Sequence, residues 1–340
     1  MINQTPETMV NAINRALCDA MTHDQDIVLL GEDIAAKGGV FGVTRGLLAD
    51  FGPERVIDTP LAEVMLAGIS VGLASQGIKP VVEFQFSGFI LAALEQIACH
   101  AARLRSRTRG RLSCPVVFRA PYGGGIHGPE HHCESPEALF AHLPGLRVVI
   151  PSSPAKAYSL LLSSIADPDP VIFLEPKRVY RTIREPLPPT NTHYPLDRCF
   201  ILRYGRDVTL ISWGALIQET LTAEAQLQQQ GIHCDVIDVA TIKPLDIDTI
   251  AQSVRKTGRC LIIHEAVRTG GVGAEIAAQI STLAFPHLKT PPIRKAGFDV
   301  ITPYCRLEPH FMIQPEHIVQ SVIQLMNDDV IKKGLLQVGG

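Results

Sequence analysis

Apolar residues in this chain alternate between short β-branched runs and longer stretches at helical spacing, and the alternation occurs twice. This constrains the fold more tightly than any other feature, because strands separated by helices build parallel-sheet α/β units. In the first half, strands are expected at Ile27 to Leu30, Pro80 to Phe84, Pro115 to Arg119, Arg147 to Ile150 and Val171 to Leu174, with helices at Leu61 to Ser75, Ile90 to Arg105 and Ala155 to Ala166. From Glu175 to Arg198 the period is lost and Pro176, Pro186, Pro188, Pro189 and Pro195 intervene, the mark of a connection between domains. The pattern then resumes with strands at Asp207 to Trp213, Cys234 to Val239 and Cys260 to His264 and helices at Gln218 to Gln229 and Ile247 to Thr257. A Gly-rich turn, Thr269 to Gly273, leads into a helix from Ala274 to Thr282, and Lys332 to Gly340 reads as a loose tail.

A length of 340 residues fits two domains at roughly 150 residues each. The expected division is 1–185, a linker at 186–200, and 201–330. With 46% hydrophobic residues, 19% charged residues and a formal net charge of -3, the profile is that of an ordinary soluble enzyme, and no basic tract points to nucleic acid or to an anionic membrane. The eight cysteines are scattered without a C-x-x-C pair, which reads as reduced thiols in a cytosol-like compartment. Met1 to Asn14 has neither the basic start nor the apolar run of a signal peptide, and no window reaches the ~20 apolar residues of a membrane span.

Three segments carry chemistry. In Asp58-Thr59-Pro60-Leu61-Ala62-Glu63, Thr59 is placed to cap a helix, Pro60 to open it and Glu63 to stand in its first turn. A glutamate there can simply complement the helix dipole. However, the helix behind it is almost wholly apolar with Gly68 and Gly72 inside, so it is expected to be buried against a neighbour, with Glu63 partly buried at its mouth. Next, Val81 to Phe84 runs into a loop bearing Gln85, Phe86 and Phe89 at the carboxyl end of a strand, where open α/β sheets bind ligands. Core packing would explain the phenylalanines, but beside Glu63 they suggest a flat heteroaromatic ligand. Third, the loop Pro121 to Pro136 holds Gly123, Gly124 and Gly125 in a row and then His127, His131 and His132, joining close backbone approach to proton-transfer capacity. A metal is the rival reading of the histidines, against which their spacing argues. Gly270-Gly271-Val272-Gly273 looks like a dinucleotide loop but lacks the surrounding βαβ unit, and a tight turn before a helix accounts for it better.

Taken in order, T-P-L-x-E at 59–63, E-F-Q-F at 83–86, the Gly-rich His loop, S-P-E-A-L-F-A-H-x-P-G-L at 135–146 and D-P-V-I-F-L-E-P-K at 169–177 resemble the β subunit of thiamine-diphosphate-dependent 2-oxo acid dehydrogenases, over about Met9 to Met326. The resemblance implies an α/β fold: a transketolase-type pyrimidine-binding domain with a parallel sheet, followed by a smaller transketolase C-terminal α/β domain. It implies that this chain holds the aminopyrimidine of thiamine diphosphate while an α subunit holds the diphosphate and its magnesium through a Gly-Asp-Gly motif, which this chain lacks. An α2β2 heterotetramer is expected, docked on a lipoylated acyltransferase core through that core's peripheral subunit-binding domain.

Carried onto matching positions, Glu63 is similar to the glutamate that protonates a pyrimidine nitrogen. Phe89 matches the aromatic that stacks on the ring, and Leu61 and Gln85 line the same pocket. His132 takes the place of the histidine that donates a proton during reductive acylation of lipoate, although His132-Cys133-Glu134-Ser135-Pro136 departs from the family's His-Ser-Gln-Ser-Pro, and the added carboxylate of Glu134 is expected to raise the histidine's pKa. Phe298 to Pro303 departs as well, the Thr-Pro pair standing two residues later than in relatives. A structural potassium ion is implied near Asp167, with backbone oxygens of Cys114, Val116, Val117 and Ser164. Gln85, His264-Glu265-Ala266 with Thr269-Gly270-Gly271, and Ser135-Pro136-Glu137 lean toward branched-chain 2-oxo acids, with pyruvate as the close alternative. A non-catalytic docking subunit is the reading from another class, and bacterial cytoplasm the expected compartment.

Overall fold

The structure, a computed structural model, describes residues 5–338, with side chains for 5–327. The chain divides into two compact units, one of residues 1–196 with 241–244, the other of 197–240 with 245–340.

The first unit opens with β1 (Glu7–Thr8) and α1 (Met9–His23). Apolar residues at Met9, Ile13, Leu17 and Met21 bury one face of α1, and Asn11 N donates to the Thr8 side-chain oxygen at 3.3 Å to cap it. The sequence reading passed over this helix as isolated apolar residues; its four-residue period was the signal. Then come β2 (Ile27–Gly31), α2 (Leu47–Phe51), β3 (Val56–Asp58), α3 (Glu63–Ser75) and β4 (Lys79–Glu83). The single helix expected over Ile90 to Arg105 is instead a broken series: a 3-10 turn at Phe89–Ala93, α4 (Leu94–Cys99), a second 3-10 turn at Ala101–Arg103 and α5 (Leu104–Arg107), with the break at His100, where φ is -117° and ψ -65°. After it follow β5 (Val117–Tyr122), α6 (Glu137–His142), β6 (Arg147–Val149), α7 (Pro154–Ala166), β7 (Val171–Pro176) and β8 (Arg184–Glu185). α1 packs along α7, and β8 pairs antiparallel with β1.

The main sheet of this unit is seven-stranded, and β3, β2, β4, β5, β7 and β6 lie side by side in that order and parallel. Every residue of β5 and β7 is buried, as expected of central strands covered on both faces. Because the strands are parallel, the loops after β2, β4 and β5 emerge together at one edge, and those loops hold the candidate site.

That edge is held by one buried arginine. Arg119 on β5 is 1% exposed; its Nε donates to Glu175 Oε1 on β7 at 2.7 Å, and its Nη1 donates to Glu83 Oε2 at the end of β4 at 2.9 Å. The Tyr180 hydroxyl donates to the second oxygen of Glu175 at 2.5 Å. Burial opposes the guanidinium charge, but Glu175 and then Glu83 more than offset it and push its pKa up, while burial pushes the Glu175 carboxyl up despite the arginine.

The second unit begins with β9 (Phe200–Arg203), β10 (Val208–Ser212), α8 (Ile217–Gln229) and β11 (Cys234–Asp238). The next strand, β12 (Thr241–Lys243), belongs to the first unit, where it pairs antiparallel with β6. A contiguous division of the chain misses this return. Then follow α9 (Ile247–Thr257), β13 (Cys260–Val267), α10 (Val272–Leu283), β14 (Ile293–Gly297), α11 (Glu308–Phe311) and α12 (Pro315–Val338). The sheet order is β14-β13-β10-β11-β9, parallel except for β9. Val208, Leu210, Val236 and Leu261 form its core with Ile318, Val322 and Leu325 of α12. Residues 332–338, read from the sequence as a tail, continue α12. The rest of that tail, Gly339 and Gly340, lies outside the described residues, as do residues 1–4 of the N-terminal segment. The Gly-rich turn is explained by His264, which is fully buried and stacks on Trp213 at 5.3 Å; a Cβ on Gly273 would stand 2.5 Å from its Nε2. Among the described residues no helix is long and apolar enough to cross a membrane, and all eight cysteines are free.

Replacing Arg119 with Met leaves Glu83 and Glu175 buried without their shared countercharge. Urea unfolding of the purified Arg119→Met chain is expected to show a loss of about 3–5 kcal/mol, whereas an unchanged midpoint would show that the clamp contributes little.

Candidate active site

Glu63 stands at the first residue of α3, half-buried, but the run-in differs from the expectation. The helix begins at Glu63 itself, with Ala62 at the cap and no side-chain capping bond, so Thr59 is not the N-cap and Pro60 is not helical. The reason lies one strand away: Thr59 N donates to Gly31 O at 2.9 Å, which prolongs the extended chain past β3 before the helix can turn. Leu61 is carried out to 77% exposure. The helix expected to be buried against a neighbour is buried on one face, at Leu66, Ala67, Ser70 and Ala74. Val64, Met65 and Ile69 are exposed on α3, and Gly72 faces open space among the described residues.

Behind Glu63 is a residue the sequence reading missed. Glu32, directly after β2, is 6% exposed, and neither carboxylate oxygen has a hydrogen-bond partner. Burial first, then the charges of Glu63 and Asp33, push its pKa up to about 7. An acidic pair, Glu32-Asp33, at the carboxyl end of an apolar strand was the available signal. The two carboxyls thus stand in different environments, Glu32 dry and without hydrogen-bond partners and Glu63 at the open end of a helix.

α3 packs against the turn Phe89–Ala93, which brings the second group of side chains to the same edge. The Phe86 ring lies 4.1 Å from His132 and 5.8 Å from Phe89, and Phe89 lies 5.4 Å from His132. Gly88 must be glycine because a Cβ there would run into the carbonyl of His131. The loop is anchored by Ser87 Oγ donating to Glu134 O at 2.8 Å and by Gly123 N donating to the same oxygen at 2.9 Å. Lys177, also missed, is 4% exposed, donates to Gly123 O at 2.6 Å and lies 5.9 Å from the Phe86 ring. Gln85 is half-buried beside Phe86, while His127 is exposed with φ +59°.

The His132 pKa is lowered, not raised: burial is the main cause, joined by His131 and Lys177, and the opposing carboxylate is Glu130 rather than Glu134. Its Nδ1 is buried without a hydrogen-bond partner, as is the Thr59 hydroxyl oxygen. Orphaned polar atoms of this kind, with two unlike carboxyls and a half-buried phenylalanine ring, fit an aromatic heterocycle bearing ring nitrogens and an amino group, such as the aminopyrimidine of thiamine diphosphate.

The residues expected around potassium are near one another but are closed by protein groups. Asp167 Oδ2 pairs with Arg147 Nε at 2.7 Å, and its Oδ1 accepts from Asp169 N at 2.8 Å. Cys114 O accepts from Val116 N, Val116 O from Val171 N and Ser164 O from Asp167 N, while Val117 lies in the β5 ladder. A carboxylate already neutralised by arginine does not fit a resident cation. Among the described residues no group of three or more His, Cys, Asp and Glu side chains is placed to hold a metal.

The raised Glu32 pKa ties stability to pH. From its ordinary value of 4.5 up to about 7 the folded chain holds a proton that the unfolded chain has released, so stability falls as pH rises through that window. Urea unfolding of the Glu32→Gln chain is expected to match the parent near pH 4.5 and to exceed it by about 3 kcal/mol at pH 8. Parallel pH profiles for the two chains would show that Glu32 titrates normally.

Residues 6–182 match the transketolase pyrimidine-binding domain, and residues 197–318 match the transketolase C-terminal domain. The chain is 43% identical over 318 residues to the pyruvate dehydrogenase E1 component subunit beta of Acholeplasma laidlawii, covering 94% of this chain and 97% of that one. It is 43% identical over 314 residues to the subunit of the same name from Staphylococcus epidermidis, covering 92% and 97%. Among solved structures, a split-gene transketolase described as an inactive beta4 tetramer superposes with a TM-score of 0.78 at 23% identity, over 94% of this chain and 98% of that one, and so shares the fold. With both domains matched along nearly the whole length of its relatives, the chain belongs to the family of β subunits of thiamine-diphosphate-dependent 2-oxo acid dehydrogenases.

Proposed function

We propose that this chain supplies the pyrimidine half of a thiamine diphosphate site in the decarboxylating component of a 2-oxo acid dehydrogenase complex, with an α subunit supplying the diphosphate half and its magnesium. The observation that carries the reading is the pair of unlike carboxyls, Glu63 at the mouth of α3 and Glu32 buried behind it, next to the Phe86, Phe89 and His132 rings. When bound, thiamine diphosphate supplies the nucleophilic carbon and the electron sink that decarboxylation of a 2-oxo acid requires.

The chain's own residues bind, orient and move protons. With the cofactor bound, Glu63 would share a proton with a pyrimidine ring nitrogen, and Glu32, its pKa raised by burial, would favour a neutral neighbour beside it. Phe89 would stack on that ring, with Gln85 and Leu61 at its border. His132, its pKa lowered by burial, is a stronger acid when protonated and gives its proton to the sulfur that leaves when the lipoyl disulfide is opened by acyl transfer.

The exposed Leu61, Val64, Met65 and Ile69 beside Glu63 support an α subunit covering this helix, in an α2β2 assembly. Docking on a lipoylated acyltransferase core through its peripheral subunit-binding domain, and a cytoplasmic setting, belong to the same reading and rest on the resemblance and the sequence. For the substrate, the names of the relatives support pyruvate. The branched-chain reading is weakened by the burial of His264 against Trp213, which makes that phrase a matter of core packing and leaves Gln85 and Ser135-Pro136-Glu137 as its support.

The test is co-expression with an α subunit and assay of pyruvate against 3-methyl-2-oxobutanoate. Glu63→Gln is expected to lower decarboxylation by about 100-fold or more. His132→Ala is expected to spare decarboxylation with an artificial electron acceptor but to slow acylation of a lipoyl domain by about 100-fold. Normal feeding of the lipoyl domain by the His132 variant would remove its role, and inactivity of a folded parental α/β complex would leave an assembly subunit as the better reading.

A further inference from the structure

Lys177 is a buried cation for which the reaction above has no use. It stands directly after β7, is 4% exposed, and its Nζ donates to Gly123 O at 2.6 Å. Glu175, two residues before it, is held by Arg119, so the ammonium is delivered from the clamped centre of the sheet and not from a loose chain end. Gly123 opens the Gly-rich His loop, and Gly123 N and Ser87 Oγ both donate to Glu134 O, at 2.9 Å and 2.8 Å. The loop that carries His132 is therefore closed at its neck, from Gly123 to Glu134, and Lys177 fastens that neck to the end of β7. The same ammonium lies 5.9 Å from the Phe86 ring, which in turn lies 4.1 Å from the ring of His132.

The charged groups around His132 come from two elements. Its own turn supplies Glu130 and His131, with Glu134 two residues on, and the chain after β7 supplies Lys177 and Arg178, the latter close enough that a Cβ on Gly125 would stand 2.3 Å from its Cδ. The loop after β4 supplies the uncharged rings of Phe86 and Phe89. In a poorly solvated site a fixed cation disfavours a second positive charge on a nearby ring. A proton leaves such a ring more readily, which is what a donor to a departing sulfur has to do. We propose that Lys177 is a positioning residue for proton delivery: it fixes the loop that carries His132 and, by its charge, makes the protonated ring readier to give up its proton. The proposal rests on the reading of His132 as proton donor. The His132 pKa, lowered by burial first and then by His131 and Lys177, agrees with the geometry.

The experiment has two arms. The first is NMR titration of the His132 ring in the full chain, its signal assigned by loss in His132→Ala. Lys177→Met is expected to move the titration midpoint to higher pH by about half to one unit, and Lys177→Arg, which keeps the charge, to leave it near the parental value. If circular dichroism shows Lys177→Met to be unfolded, Lys177→Gln, which keeps an N–H donor toward Gly123, carries the same comparison. The second arm is acylation of a lipoyl domain by the assembled complex with an α subunit, followed across pH. Lys177→Met is expected to move the alkaline limb of kcat by the same amount and to lower its plateau by about tenfold, whereas Ser87→Ala, which loosens the same loop without removing a charge, lowers the plateau and leaves the limb in place. An unmoved midpoint in a folded neutral variant would overturn the proposal and leave the donor reading of His132 intact. A moved midpoint with an unmoved limb would overturn it from the other side, because His132 would then titrate as argued without being the donor.

Discussion

One buried guanidinium sets the working edge of the first unit. Arg119, in the middle of β5, ties together the ends of β4 and β7, where Glu83 is the last residue of its strand and Glu175 the last but one. Phe84 to Phe89 leave directly from Glu83, the Gly-rich His loop leaves from the end of Arg119's strand, and Lys177 follows Glu175 by two residues. A buried pair of this kind adds little net stability compared with an apolar core, but it penalises every register in which the charges fail to meet. The clamp is therefore best understood as a device of alignment, and its position beneath the candidate site is where alignment matters most.

Above the clamp the chemistry depends on inequality between similar groups. Glu32 and Glu63 are the same residue type at one edge, yet one is dry and without partners and the other opens a helix. The same holds for the histidines: His132 is half-buried against Phe86 with its Nδ1 unsatisfied, whereas His131 is exposed. Burial raises the pKa of Glu32 and lowers that of His132, and a site that must both hold and deliver protons uses both effects.

The apolar face of α3 shows why the chain reads as part of a larger assembly. A helix that is hydrophobic all round belongs in an interior. Here Val64, Met65 and Ile69 remain exposed while Leu66, Ala67 and Ser70 are buried, so the interior is supplied from one side only. Glu63 sits at the boundary between the two sides, where covering the exposed face would also complete its desolvation.

The sequence by itself determined the two rounds of α/β alternation and most strand positions, and nominated Glu63, Phe89 and His132 as site residues, because side-chain period and motif order are local properties of the chain. It also carried the family, through motifs spread over nearly the whole length. It misplaced the start of α3 and joined the broken series after Phe89 into one helix, because a backbone bond from Thr59 to Gly31 and the departure at His100 depend on neighbours distant in sequence or on tertiary packing. It offered no strand at Thr241 to Lys243, whose partner β6 lies far back in the sequence. Only the tertiary structure decided that Glu32 belongs beside Glu63, that the His132 pKa falls rather than rises, and that Arg147 occupies the carboxylate of Asp167. Desolvation and charge pairing are set by what surrounds a group in space, and nothing in the order of residues states which groups those will be.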